Sequence, residues 1–372
     1  MTDKPIIVIG GGLAGSAFAI ELARSGVPVR ILERSRNAHH KVCGEFLSQE
    51  AQQLLAYLGV DVHAFGASTI ETLRLASNDR SGNSRLPFRA AGLSRYRLDQ
   101  ALLDKASTAG VEICRGIHVK AIEPQADHVV LRTEDSRIRS PAVALATGKH
   151  NVRSHPRRSA NMVAMKIQIA PKQASTDLDG VVQLAGYDGG YAGICHVEER
   201  ILSLSWLTTP ALLQQIGPKW EDHANYLSAI SPFLAGILKD AEPVWSPQIA
   251  IAGLPYGFLR SEVISPRIYP LGDQLAVIPS YTGDGMAIAL GSGIAAAQAY
   301  LRGEAADQFQ SRQVALLKPQ FRIAGAVNLL FETAPRRTLG LVLASLIPGM
   351  IPTIIRTTRL RGYRSLIDIK NR

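Results

Sequence analysis

Three glycines near the start of the chain are spaced for phosphate chemistry. Gly10, Gly12 and Gly15 fall in the array Gly10-Gly11-Gly12-Leu13-Ala14-Gly15, and a carboxylate, Glu33, follows where a ribose ligand is expected. The first glycine permits a tight turn, the second lets the backbone approach a pyrophosphate, and the third lets a helix pack close on a strand. The free N–H groups and positive end of that helix then face phosphates. Glu33 can accept hydrogen bonds from ribose hydroxyls, with Leu13, Ala14 and Arg34 beside these anchors as further contacts. The elements that must position them are legible on either side. Lys4 to Ile9 is a short apolar strand, Ser16 to Ser25 a helix closing at Gly26, and Val29 to Leu32 a second strand ending at Glu33. This βαβ unit is a dinucleotide-binding opening, which NAD and FAD enzymes share.

Residues near position 270 separate the two. Arg267-Ile268-Tyr269-Pro270-Leu271-Gly272-Asp273 leads through Ala276-Val277-Ile278-Pro279 to Gly283-Asp284-Gly285-Met286 and a run of small residues through Gly291, Ser292, Gly293 and Ala295-Ala296-Ala297. Here the sequence resembles the FAD-dependent superfamily that includes p-hydroxybenzoate hydroxylase and the geranylgeranyl reductases. The resemblance implies non-covalent FAD, with Gly272 and Asp273 on its ribityl chain. It also implies that Gly283 and the amides near Gly285 and Met286 face the N1/O2 edge of the flavin. A helix N-terminus there stabilises the negative charge of the reduced ring. Ser94-Arg95-Tyr96-Arg97-Leu98 resembles the family's R-x-x-L-type segment, which implies a cofactor contact for Arg97. Val143-Ala144-Leu145-Ala146-Thr147-Gly148 resembles the strand end that passes adenine and pyrophosphate, and Val119 joins that side. Lys41-Val42-Cys43-Gly44-Glu45-Phe46-Leu47-Ser48 resembles the Cys-Gly stretch beside the isoalloxazine in geranylgeranyl reductase-like proteins, placing Cys43 and Gly44 at the ring. The Cys-Gly-Glu-Phe-Leu-Ser and Ala-Thr-Gly-Lys-His stretches also look like small flavoproteins associated with type III polyketide synthases. The resemblance covers most of residues 1–160 and 260–305.

There are departures. Thr147-Gly148 stands where aromatic hydroxylases of the superfamily carry Asp-Gly, so the usual nicotinamide contact is not implied, and NAD(P)H enters only as a transient reductant. Trp206 is followed by Leu207-Thr208-Thr209-Pro210 and no W-x-W-x-I-P motif occurs, which argues against halogenation. No second G-x-G-x-x-G opens a βαβ unit, so a dedicated NAD(P)H domain is not expected.

Composition sets outer bounds. The 372 residues suffice for two domains, and 46% hydrophobic content is that of a globular protein. Three dispersed cysteines, Cys43, Cys114 and Cys195, point to a reducing compartment without a disulfide framework. The first strand begins within five residues, leaving no room for a signal peptide, so a cytoplasmic protein is expected. Neither C-x-x-C nor H-E-x-x-H occurs, so no metal site is expected. The net charge of +10 is spread without a nucleic-acid motif, so no nucleic-acid partner is expected. One local cluster, Lys149 to Arg158 with Arg153 and Arg157, is either solvated surface or a funnel for NADPH phosphates or an acidic substrate. The other is C-terminal. Arg336 and Arg337 precede an apolar run, Thr338 to Ile355, and Arg356, Arg359, Arg361 and Arg364 follow it. The run is at the short end of the ~17–25 residues a spanning helix needs, and Pro348 and Pro352 interrupt it, so a span is not expected. Two readings stand for residues 338–355: peripheral membrane contact through a basic-flanked apolar element, or a helical tail that packs on the domain or covers the active site.

These anchors give an α/β fold: a discontinuous Rossmann-like FAD-binding domain (1–70, 93–159 and 260–330), an inserted antiparallel-sheet substrate domain (71–92 and 160–259), and a C-terminal apolar and basic helical tail (331–372). Residues 70–92 read as a hairpin excursion, Leu98 to Ala109 as a helix, and Trp220 to Leu238 as one helix. Cys43 reads as a residue touching ring or substrate, or as a small packed residue. Glu45 reads as a proton donor if burial raises its pKa, or as a hydrogen-bonded structural carboxylate. Tyr191, His196, Trp206 and Tyr281 are candidates for the substrate pocket. The resemblance implies two reactions on an apolar or aromatic small molecule. One is hydroxylation of an aromatic or polyketide-like substrate through a flavin C4a-hydroperoxide. The other is reduction of carbon–carbon double bonds in a lipid-like substrate. A non-catalytic flavin-binding protein is a third, more distant reading.

Overall fold

The computed structural model describes residues 4–366 except 78–79, 153–154, 158–159, 172–175, 240, 332, 348 and 364–365. Arg153, Arg158, Pro348 and Arg364, and Asn78 at the start of the polar turn, lie outside the described residues. The helices are α1 (Leu13–Ala23), α2 (Gln49–Tyr57), α3 (Arg95–Thr108), α4 (Pro210–Ile216), α5 (Trp220–Ile230), α6 (Pro232–Leu238), α7 (Gly285–Leu301), α8 (Ala306–Phe331), α9 (Ala334–Leu346) and α10 (Met350–Thr358).

Five strands pair in parallel in the order Ile268–Pro270, Val143–Leu145, Ile6–Ile9, Val29–Glu33, Glu112–Arg115. The four strands other than the edge strand Glu112–Arg115 are mostly apolar and buried on both faces, as a helix-covered parallel sheet requires. Gly10, Glu33, Ala146 and Leu271 therefore all stand at the carboxyl ends of strands, where open α/β sheets bind ligands. Helix α1 begins at Leu13 rather than Ser16, because Gly12 is still extended and serves as its N-cap. Leu13 to Leu22 are all buried, between the sheet and helices α3 and α7. The crossing of α1 and α7 needs small residues: a Cβ at Gly293 would overlap the carbonyl oxygen of Ala14. One at Gly15 would overlap the carbonyl of Gly10.

A second sheet carries nine strands among the described residues. Its central order is Val163–Pro171, Leu202–Thr208, Gly190–His196, Val181–Tyr187, Ser68–Ser77, Arg80–Gly92, Phe46–Leu47. It departs from the antiparallel expectation at one seam, where Val181–Tyr187 pairs with Ser68–Ser77 in parallel. The hairpin of residues 68–92 is thus an integral part of this sheet. The region read as one helix from Trp220 to Leu238 is two, α5 and α6. Ser231 between them is extended (φ −148°, ψ 111°), because Pro232 disfavours the helical conformation in the residue before it. A strand expected near Val129 to Thr133 is present as Val129–Arg132, at the centre of a small antiparallel sheet with Ala121–Pro124 and Arg137–Ser140.

Helices α8 to α10 close the molecule. Helices α9 and α10 pack on the hairpin strand Arg80–Gly92, and α8 packs on α7. No single helix is long and apolar enough to cross a membrane among the described residues; one pair bent by 108°, drawn from α8 and α9, passes that test together.

Candidate functional site

One cavity of about 660 Å³ runs from the carboxyl ends of the parallel strands to the tail helices. That volume lies inside the ~300–1,000 Å³ of small-molecule sites. Gly10, Gly12, Leu13, Ala14, Glu33 and Arg34 line it from the first unit, and Cys43, Gly44 and Glu45 from the following loop. Val119, Ala146, Thr147, Gly148, Asp273, Gly283, Gly285 and Met286 complete that part of the wall. Gly15 and Gly272 stand behind the wall and hold the backbone: Gly15 against Gly10, and Gly272 (φ +53°) against Ala14 and α7.

The residues at the glycine turn fit a dinucleotide. A Cβ at Gly12 would sit 3.6 Å from a guanidinium nitrogen of Arg95 and 3.6 Å from Lys41 Nζ, so the missing side chain leaves a cradle between two cations. The first turn of α1 has neither a side-chain cap nor an acidic residue, so its amides are available to an anion. The same holds for α7: its N-cap residue, Asp284, makes no capping hydrogen bond, and Gly285 and Met286 open into the cavity. Two helix N-termini from segments far apart in sequence thus face one space. Glu33 accepts hydrogen bonds from the amides of Gly11 (2.8 Å) and Ser35 (2.8 Å). Burial acts to raise its carboxyl; the Ser35 amide, Lys41 and the Gly11 amide outweigh that and hold it below the ordinary value. It is an ionised acceptor with lone pairs to spare for ribose hydroxyls.

The distant segments are fastened by Gln274, which sequence reasoning missed and for which no motif gave a signal. It is buried, and its amide nitrogen donates to Thr147 Oγ1 (2.8 Å) and to the carbonyls of Gly148 (3.0 Å) and His150 (2.8 Å). Lys149 donates to the carbonyl of Val42 (2.9 Å) and lies 3.8 Å from Asp273 Oδ2.

The arginine of the R-x-x-L segment needs correction. Arg97 does not line the cavity; its guanidinium pairs with Glu198 (3.3 Å) and Glu199 and donates to the carbonyl of Phe65. Arg95 lines the cavity instead. Read literally, R-x-x-L begins at Arg95 and ends at Leu98, so the spacing held the signal. Arg95 grips Asp99 with two bonds (2.7 and 3.0 Å), and Lys41 adds a third contact at 2.7 Å. Burial would raise the Asp99 carboxyl, but Arg95 and Lys41 hold it at about 2.

Glu45 occupies the left-handed region (φ +58°), uncommon for a non-glycine residue, at a turn anchored by the Leu93 amide on its carbonyl. Its side chain is 0% exposed and pairs with Lys166, also 0% exposed. Gln168 Nε2 (3.0 Å) and the Arg95 amide (2.7 Å) donate to the same carboxylate. That donor set matches the structural reading of Glu45. A lysine and a glutamine at alternate positions of the apolar strand Val163–Pro171 were the unread sign of it. Cys43 Sγ accepts from the Glu45 amide (3.4 Å), and Cys195, with its thiol pushed up to about 12 chiefly by burial, reaches the Gly44 carbonyl.

The rest of the cavity is mainly apolar, with Ser77, Ser205, Arg337 and Arg359 among its polar members. Leu73, Leu75, Leu86, Val182 and Leu184 form its sheet side, and Leu341, Ile351, Ile354 and Ile355 its tail side. Tyr191, Trp206 and Tyr281 line it. His196 does not: it is buried behind the sheet, with Nδ1 on the Arg200 carbonyl (3.1 Å) and Nε2 3.5 Å from Asp179. Tyr191 hydrogen-bonds Ser280, and burial pushes its phenol up to about 12 against the pull of Ser280 and Tyr256, so it remains a neutral donor near pH 7. The tail is tied to the head of α7. Arg359 lies 2.8 Å from the buried Asp284 and donates to the Thr282 carbonyl (2.6 Å), and Gln320 bridges Asp284 (3.0 Å) and the Thr358 carbonyl.

Comparison with known proteins agrees with this geometry. Residues 3–153 match the FAD binding domain family. The chain is 23% identical over 345 residues to Protein FixC of Escherichia coli (strain K12), covering 83% of this chain and 79% of that protein. It is 26% identical over 336 residues to Digeranylgeranylglycerophospholipid reductase 2 of Methanosphaera stadtmanae (82% and 80% covered). Its fold superposes on the flavin-dependent brominase Bmp2 with a TM-score of 0.79 at 17% identity, covering 99% of this chain and 97% of that one.

Proposed function

Taking the chain as an FAD-dependent oxidoreductase of the superfamily that includes p-hydroxybenzoate hydroxylase and the geranylgeranyl reductases, we propose that it is a monooxygenase acting on an apolar or aromatic small molecule. The observation that carries the reading is the single cavity: the cradle at Gly12 and an arm walled by leucines and isoleucines are one continuous space. In this reading the α1 amides, Arg95 and Lys41 hold the pyrophosphate, Glu33 the ribose, Asp273 the ribityl chain, and the amides of Gly285 and Met286 the flavin edge. Residues 1–70, 93–159 and 260–330 then serve the cofactor, and residues 71–92 and 160–259 the substrate. Bound FAD would supply the redox chemistry, with NAD(P)H as transient electron donor. The protein's part is to position and to keep dry. The apolar arm orients the substrate by burial, and the Tyr191–Ser280 pair offers a hydroxyl donor to an oxygen atom on it.

A second reading is reduction of carbon–carbon double bonds in a lipid-like substrate; the aliphatic tail wall and the similarity to a reductase of that name favour it. Product analysis separates the two. Hydroxylation incorporates one atom of labelled O2 into product, whereas double-bond reduction proceeds without O2 and adds two hydrogens. Purified protein that is colourless and cannot be loaded with FAD overturns both.

A further inference from the structure

The tail helices are apolar on the side that walls the cavity, and apolar again on the side that faces out. Among the described residues, Leu316, Ile323, Leu329, Leu339, Leu346 and Ile347 are exposed; Leu346 is 70% and Leu339 54% exposed. They share the stretch from α8 to Ile347 at the end of α9, which holds most of the exposed large apolar side chains among the described residues. A surface that concentrates such residues in one place is one that meets an apolar partner. Leu343 is both a cavity-lining residue and 36% exposed, so one side chain of α9 borders the cavity and belongs to this patch. The charge around the patch is predominantly positive. Between residues 308 and 366 the sequence holds nine arginines and lysines and one acidic residue, Glu332. Of these cations Lys318, Arg322, Arg336 and Arg356 are exposed, whereas Arg337 and Arg359 are turned inward. Apolar side chains ringed by cations complement an anionic bilayer, with the chains in the acyl boundary and the cations among the headgroups.

We propose that the outer face of α9, with Ile347 and the exposed apolar residues of α8, docks on an anionic lipid surface, and that apolar substrate enters the cavity from the bilayer beside Leu343. The substrate half of this proposal rests on the reading of the cavity given above; the docking half does not.

The test is vesicle flotation of the full-length, FAD-loaded protein, with phosphatidylcholine vesicles and with vesicles containing phosphatidylglycerol. Binding is expected on the anionic vesicles, weaker on neutral ones and weaker at high salt. The double variant Leu339→Glu/Leu346→Glu, which alters no cavity-lining residue, is expected to bind about tenfold more weakly or worse. Its flavin absorbance and unfolding midpoint should stay those of the parent, which separates lost docking from lost folding. Protein that stays with the soluble fraction on anionic vesicles overturns the proposal, as does a variant that floats as well as the parent. A dimer in light scattering that the variant dissociates also overturns it, since a second copy would then cover the patch. Flavin content is read in the same samples, so failure of the cofactor assignment is seen independently of failure to float.

Discussion

Replacing Lys166 by methionine tests the account of the buried pair beside the cavity. Lys166 and Glu45 are both 0% exposed in their side chains, so neither charge has water to fall back on. Removing one partner of such a pair costs about 3–5 kcal/mol, because the other charge stays buried and uncompensated. Glu45 keeps two donors, Gln168 Nε2 at 3.0 Å and the Arg95 amide at 2.7 Å, which places the expected loss near the lower end, about 3 kcal/mol. Removing both charges, as in Glu45→Gln/Lys166→Met, should recover most of that loss, since a neutral pair carries no uncompensated ion. Equilibrium unfolding in urea, followed by tryptophan fluorescence, reads both; Trp245 has its ring centroid 5.6 Å from Lys166 Nζ and reports on the site. With a slope of ~3 kcal/mol per molar urea, the single variant should shift its midpoint by about 1 M. A Lys166→Met protein within about 0.5 kcal/mol of the parent, or a double variant no more stable than the single one, would refute the reasoning that the pair is held as two ions.

Other expectations follow from the same geometry. Gly12→Ala should fold normally yet lose flavin, because its Cβ enters open space between Arg95 and Lys41, whereas Gly293→Ala should cost about 1–3 kcal/mol by overpacking against Ala14; absorbance at 450 nm and thermal unfolding distinguish them. Arg95→Gln should lower FAD content and Arg97→Gln leave it unchanged; equal losses in both would return the cofactor role to Arg97. Asp284 is pushed up to about 7, first by burial and then by Glu50, against Arg359 and Gln320. A carboxyl raised in the folded state binds its proton more tightly there. The stability it contributes is complete below the unfolded pKa of about 4 and is lost as pH rises towards 7. Relative to Asp284→Asn, the parent should therefore lose stability across that window, measured by urea midpoints at stepped pH. Cys195, with its thiol pushed up to about 12, should resist iodoacetamide at pH 8 in the folded protein and react once urea unfolds it, as peptide mass mapping will show.

The sequence carried the parts whose physics is local. A glycine turn between an apolar strand and a helix, and a carboxylate at the next strand end, are legible because each residue answers to its neighbours along the chain. The second helix N-terminus was likewise written in Gly283 and Gly285 and in the run of small residues that follows. Contacts made across the fold left weaker traces. Arg95 and Arg97 both precede the same leucine, and only the direction of the α3 start, set by Ser94 as N-cap, decides which one faces the cavity. His196 looked like a pocket residue because it sits on a strand of the substrate sheet, but its ring turns to the Arg200 carbonyl and Asp179 and leaves the cavity to Ile194. Lys166 and Gln168 could have been noticed as polar residues in an apolar strand; their partner, Glu45, lies 121 residues earlier and no spacing rule connects them. The parallel seam between Val181–Tyr187 and Ser68–Ser77 joins segments that flank a long excursion, a pairing that composition does not encode.

Gln274 has a consequence for how the molecule is made. Its three bonds to Thr147, Gly148 and His150 clasp the receiving walls with the polypeptide's own groups. The two segments that meet at the cofactor wall are therefore joined by the protein's own hydrogen bonds. Cells starved of riboflavin should accumulate a colourless, fully formed apoprotein that turns yellow on mixing with the vitamin-derived nucleotide, without passing through an unfolded state.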